Sequence, residues 1–158
     1  MEGRGLEDVP RAGRSVMTAT ARPSAIGAPA YSQSYLREKE SAAVVRKMVR
    51  TVLETWHLPH LVGPAEHVVA ELVANAVDHA RGRCFRFVVT RTSEHRVRIA
   101  VIDRSHDEPV RKTPSPDEEH GRGLAVVEAF STAWGVDPLT WGKRVWADLE
   151  GKPCSTPR

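Results

Sequence analysis

The sequence predicts an α+β domain in which helices layer on one face of a mainly antiparallel sheet. Its elements read helix, helix, strand, strand, loop, helix, strand, strand, so strands and helices do not alternate one by one as a parallel βαβ sheet requires. Two segments, 84–91 and 96–103, alternate side-chain character with period two. Two others repeat apolar residues at spacings of three and four, the signature of amphipathic helices.

Taken in order, residues 1–29 scatter Gly3, Gly5, Pro10, Gly13, Pro23, Gly27 and Pro29 among arginines and alanines without apolar periodicity, which predicts a disordered leader. The domain is expected over 30–151, with 152–158 as a flexible tail. Tyr31 to Leu36 is a weakly patterned candidate edge strand. From Ser41 to Trp56, Ala42, Val45, Val49, Val52, Leu53 and Trp56 recur at helical spacing, with Ser41 suited to the N-cap. The stretch His57 to Pro64 ends this helix, and Pro64 fits the first turn of a second one running to about Ala80. Arg81-Gly82-Arg83 closes it. In the two strands that follow, Phe85, Phe87 and Val89 and then Val97, Ile99 and Val101 mark one face, and Thr92 to His95 forms the loop between them. Residues 104–120 lose all periodicity and contain Pro109, Pro114 and Pro116, which reads as a functional lid. A short apolar helix, Leu124 to Phe130, precedes strands around Trp134–Val136 and Arg144–Leu149, with a turn through Pro138 and Trp141-Gly142.

Composition narrows the function. With 158 residues, 41% hydrophobic and 27% charged, the chain suits one globular domain. No apolar run reaches the ~18 residues of a membrane span, nor does the N-terminus carry a secretory signal, so a cytoplasmic location is expected. Cys84 and Cys154 lie outside any C-x-x-C pair and are expected as free thiols. The 23 basic and 20 acidic residues leave a net charge of +3 with no dense Lys/Arg block, an unfavourable footprint for nucleic acid. The arginines 81, 83, 86, 91, 96 and 98 read as a solvated sheet face, His57, His60 and His67 lack companion ligands for a metal, and the four tryptophans read as core and edge packing.

The second helix carries the chemistry. At about 100° per residue, Val69, Leu72, Val73, Ala76 and Val77 gather on one side, opposite His67, Glu71, Asn75, Asp78 and His79. Glu71, Asn75 and His79 are successive i, i+4 neighbours and form one stripe. Asp103 ends an apolar strand, where a carboxylate can accept a hydrogen bond from an exocyclic amine. Gly121-Arg122-Gly123 opens the third helix, and its unpaired N–H groups suit phosphate.

In this order and spacing the segments resemble the histidine-kinase-like ATPases, the superfamily of gyrase, sensor histidine kinases and anti-sigma-factor serine kinases. Glu71-Leu-Val-Ala-Asn75-Ala-Val-Asp-His79-Ala is similar to their N-box. Val101-Ile-Asp103-Arg-Ser105 is similar to the adenine-binding box, and Gly121-Arg-Gly123-Leu124-Ala-Val-Val127 to the glycine box ending the ATP lid. Trp134-Gly-Val and Gly142 to Leu149 resemble the closing hairpin of small stand-alone members common in actinomycetes.

The resemblance implies a two-layer α/β sandwich with a mixed, mostly antiparallel sheet, binding ATP with Mg²⁺. By it, Asn75 coordinates the metal, Glu71 is the general base and Asp103 binds the adenine amine. Gly121, Arg122, Gly123 and Leu124 meet the phosphates, and Asp78 and His79 flank the nucleotide, His79 by packing or hydrogen bonding. The implied activity is phosphorylation of a serine on an antagonist protein while a sigma factor is controlled, in relatives that work as dimers. One departure stands out: the D-x-G-x-G pattern of the adenine box is Asp103-Arg104-Ser105-His106-Asp107, without glycines. The lid also holds five acidic residues, Asp107, Glu108, Asp117, Glu118 and Glu119. The missing glycines favour the alternative of a non-catalytic, nucleotide-responsive protein-binding module.

Overall fold

The computed structural model describes residues 20–21, 28–105 and 123–152. They build strands β1 (Thr20–Ala21), β2 (Ala30–Leu36), β3 (Cys84–Ser93), β4 (Arg96–Asp103), β5 (Ala133–Leu139) and β6 (Gly142–Glu150). Helices α1 (Ser41–Thr55), α2 (Val62–His79) and α3 (Gly123–Phe130) join them, with a 3-10 turn at Pro59–Leu61. The sheet order is β1-β2-β3-β4-β6-β5. Every ladder among the described strands is antiparallel, where the resemblance implied a mixed sheet. The reason is topological: β5 runs in the direction of β4, but β6 returns between them and pairs with both.

The period-two pattern decides which sheet face is covered. Phe85, Phe87, Val89, Val97, Ile99, Val101, Val145, Ala147 and Leu149 are all buried, and they meet Val45, Val49 and Leu53 of α1 and Val68, Val69, Leu72, Val73 and Ala76 of α2. Each fully buried large side chain contributes roughly 1.5–3 kcal/mol of transfer free energy. No helix among the described residues covers the other face, which protects itself. The Arg98 guanidinium lies 4.0 Å over the Trp146 ring and pairs with both carboxylate oxygens of Asp148 at 2.7 and 3.0 Å. Arg144 pairs with Asp137 at 2.8 Å, and Arg96 with Glu150 at 2.7 Å. Arg96 and Arg98, expected as part of a plain solvated face, thus have defined partners. No described helix is long and apolar enough to cross a membrane.

Several boundaries differ from expectation. Ser41 is the first residue of α1 rather than its cap; Glu40 takes the cap position with helical backbone angles. The Ser41 hydroxyl instead donates to the Leu36 carbonyl at 2.6 Å, serving the end of β2. Pro138 belongs to β5, not to the turn, and it is tolerated because β5 is the edge strand, with no ladder on its outer side among the described residues. Trp141, expected to pack, is 57% exposed at the tip of that turn. Thr20 and Ala21 pair with Ser32 and Tyr31, so the sheet reaches into the segment expected as a leader. Residues 1–19, 22–27, 106–122 and 153–158, with most of the expected leader, lid and tail, lie outside the described residues.

Arg37 fastens the end of α2. Its guanidinium donates to the carbonyls of Val77 and Gly82, both at 2.8 Å, while its backbone N–H donates to Arg83 O at 2.7 Å. These charge-assisted bonds satisfy a carbonyl that the helix terminus would otherwise leave open. Arg37→Ala is expected to lower stability by about 1–2 kcal/mol in urea unfolding, and Arg37→Lys to recover less than half, because an ammonium cannot reproduce the fork. An unchanged midpoint for Arg37→Ala would show that the fork adds nothing to the helix end.

Candidate functional site

The site is built on the edge of α2's apolar stripe. Burial of Val68, Leu72 and Ala76 against the sheet turns Glu71 and Asn75, one helical turn apart, to the boundary between core and solvent. Both are half-buried, whereas Asp78 and His79 are exposed in the last turn. The side-chain nitrogen of Asn75 is buried and has no hydrogen-bond partner among the described residues. A buried N–H donor in that state calls for an acceptor, such as an oxygen of a ligand, to complete it.

Asp103 ends β4 on the same sheet face as Val97, Ile99 and Val101, and it is only 3% exposed. One carboxylate oxygen accepts the Ser105 N–H at 2.8 Å, an Asx turn that fixes the plane of the carboxyl group. The other oxygen faces the Lys143 ammonium at 3.8 Å, and Lys143 itself is 5% exposed. Burial raises the Asp103 carboxyl above the ordinary carboxylate range, outweighing the Ser105 N–H and the Lys143 charge, which pull the other way. Ser105, at a position where the adenine-box pattern has glycine, is 1% exposed.

The third wall is α3. Phe130 stacks on His67 with ring centroids 4.7 Å apart, and the Thr132 N–H donates to Asp148 O at 2.8 Å. The end of α3 is therefore held beside the first half of α2. Gly123 is the first residue of α3 and Leu124 is buried, while Gly121 and Arg122 lie outside the described residues.

A half-buried carboxylate and an orphaned amide on one helix, a buried aspartate at a strand end and a glycine-led helix are the parts a nucleotide site needs. The family model described as histidine kinase-like ATPase domain matches residues 36–147, most of the chain. The chain belongs to the histidine kinase-like ATPase domain family. Among curated proteins nothing matches it. Membership implies ATP binding and agrees with the α+β fold; in this histidine kinase-like ATPase domain α2, the end of β4 and the start of α3 carry segments that the sequence reading singled out.

Three contributors escaped the sequence reading. Lys143 had a signal: in β6 the core-facing set is Lys143, Val145, Ala147 and Leu149, and a lysine in a core-facing register is unusual enough to mark. Gly142 was read as a turn residue, yet a Cβ there would lie 1.9 Å from the Asp103 carbonyl oxygen. Ser105 was noted only as a missing glycine, and its turn with Asp103 follows from the chain bending at the strand end. His57, His60 and His67 have structural places. His57 takes a left-handed conformation (φ 59°) that ends α1, His60 Nε2 lies 2.6 Å from Gly151 O, and His67 carries the Phe130 stack.

Proposed function

We infer that the protein binds Mg-ATP between α2, the floor at Asp103 and the glycine start of α3, and transfers the γ-phosphoryl group to a serine of an antagonist protein while controlling a sigma factor. The observation that carries this reading is the buried, unpartnered amide of Asn75 one turn from Glu71. The unpartnered Asn75 NH2 group suits a phosphate oxygen as its acceptor, and the amide oxygen of the same side chain would be the protein ligand for Mg²⁺, a hard cation. When bound, the metal offsets the negative charge of the phosphates. Glu71 accepts the proton of the serine hydroxyl as its oxygen bonds to the γ-phosphorus and ADP departs. Asp103 accepts from the adenine amine, and backbone N–H groups at Gly121, Arg122, Gly123 and Leu124 hold phosphate oxygens, with the Arg122 side chain adding charge. Asp78 and His79 border the nucleotide from the last turn of α2, and a homodimer and a cytoplasmic location complete the reading by analogy with relatives.

Titration of Mg-ATP into the purified chain by calorimetry tests it. Micromolar binding by the wild type, weakened at least tenfold in Asn75→Ala, is expected. Wild-type protein that takes up no nucleotide would overturn the reading. A second reading, a nucleotide-responsive protein-binding module without turnover, is favoured by Ser105, whose buried side chain stands where the pattern has glycine and stiffens the floor. Binding without phosphoryl transfer to any hydroxyl acceptor would select it.

A further inference from the structure

Arg37, Arg81, Arg83 and Arg104 meet at the turn that joins α2 to β3. Arg37 comes from the end of β2 and engages the Val77 and Gly82 carbonyls, so the end of the helix is already served. Arg81 and Arg83 flank Gly82 in the turn, and both are exposed. Arg104 arrives from the end of β4. A Cβ placed on Gly82 would lie 3.5 Å from the Arg104 Cδ, so the stem of this exposed side chain passes beside the glycine. Among the described residues no acidic side chain pairs with Arg81, Arg83 or Arg104, whereas Arg50, Arg96, Arg98 and Arg144 each have one. Like charges gathered on one turn repel one another and attract an anion.

The surface beside them is apolar. Leu36 is 46% exposed and is the cross-strand partner of the half-buried Cys84, which follows Arg83. Both alternate with the core-facing Tyr35 and Phe85 and so belong to the open face of the sheet. Beyond Arg104, in the direction of β6, the exposed Trp141 precedes Gly142, whose Cβ position is 3.0 Å from the Arg104 Cα.

We propose that this corner docks an acidic segment of a partner protein, whose carboxylates take the Arg81, Arg83 and Arg104 guanidinium groups while an apolar side chain within it covers Leu36. A guanidinium fork holds a carboxylate through two parallel hydrogen bonds, and Arg and Trp are enriched where protein interfaces are anchored. Charge selects protein over nucleic acid. Asp137, Asp148 and Glu150 share the open face through their pairing with Arg144, Arg98 and Arg96, and they repel a phosphate backbone laid across it. The inference stands apart from the nucleotide reading, in which none of these side chains has a role.

Fluorescence anisotropy with the full-length chain tests it. The probe is a labelled peptide of about twelve residues, glutamates around a central pair of leucines. At about 50 mM salt the wild type is expected to bind it with a Kd below roughly 100 μM, weakening about tenfold at about 300 mM. Arg81→Ala with Arg83→Ala, checked for folding by circular dichroism, should weaken binding by about tenfold or more. Arg46→Ala with Lys47→Ala, an equal loss of charge from the exposed side of α1, should leave it within about twofold. Serine in place of both leucines should weaken the peptide by about threefold or more. No binding by the wild type at low salt, equal weakening by the two double variants, or DNA of the same charge bound more tightly than the peptide overturns the proposal. Equal affinity for the serine peptide overturns the contact with Leu36. Self-association of the wild type that Arg81→Ala with Arg83→Ala abolishes would give the corner to a second copy of the chain and overturn the proposal as well.

Discussion

Glu71→Ala should lower phosphoryl transfer by about 100- to 10,000-fold while Mg-ATP affinity stays within about threefold of the wild type. The loss is large because a positioned base acts in the transition state, where the hydroxyl sheds its proton, and adds little to holding the ground-state nucleotide. The position of Glu71 supports the separation. It lies one turn before Asn75, half-buried at the margin of α2, so truncation leaves the core stripe of Leu72, Val73 and Ala76 untouched. Single-turnover transfer to a serine peptide or, lacking an acceptor, ATP hydrolysis gives the rate, and calorimetry gives the affinity. Turnover within tenfold of the wild type would remove Glu71 as the base; a parallel collapse of affinity would show that it binds rather than reacts.

Gly142→Ala is expected to be the most damaging small substitution in the domain. The added carbon would stand 1.9 Å from the Asp103 carbonyl oxygen, 2.9 Å from its carbonyl carbon and 3.0 Å from the Arg104 Cα. All three are backbone atoms, so no side chain can swing aside, and the β4–β6 ladder must open where Asp103 meets Lys143. Overpacking of this kind costs about 3 kcal/mol or more, and it moves the Asp103 carboxylate that the nucleotide reading requires. Urea unfolding and Mg-ATP titration should both register the loss. Gly63→Ala is the matched control: nothing lies within 4 Å of its Cβ, and alanine in the first turns of α2 should be neutral or stabilising by up to about 1 kcal/mol. Gly142→Ala as stable as the wild type would show that the ladder end gives way freely.

Much of the site was legible because its signals are local. Glu71, Asn75 and the buried stripe of α2 fall on their faces by helical period alone, and the structure keeps that helix continuous over 18 residues. Asp103 was found because a strand pattern ends on it. What stayed hidden depends on residues distant in the chain. The hydroxyl of Ser41 looked like a cap, but Glu40 already has helical angles and takes the cap position, and the Ser41 hydroxyl donates to the Leu36 carbonyl instead. Arg37 gave no sequence sign that it would close α2, because its partners Val77 and Gly82 lie some forty residues on.

The sequence by itself determined the fold class, the order of the elements from α1 to β6, the buried faces of β3 and β4 and the helix that carries Glu71 and Asn75, since side-chain periodicity is set by backbone geometry within a few residues. The tertiary structure alone decided the strand order, with β6 inserted between β4 and β5, and with it the partner of Asp103. Cross-strand register is a relation between segments that no local pattern encodes. It brings Lys143 to Asp103 and obliges residue 142 to be glycine, because two backbones meet there with no room for a single carbon between them.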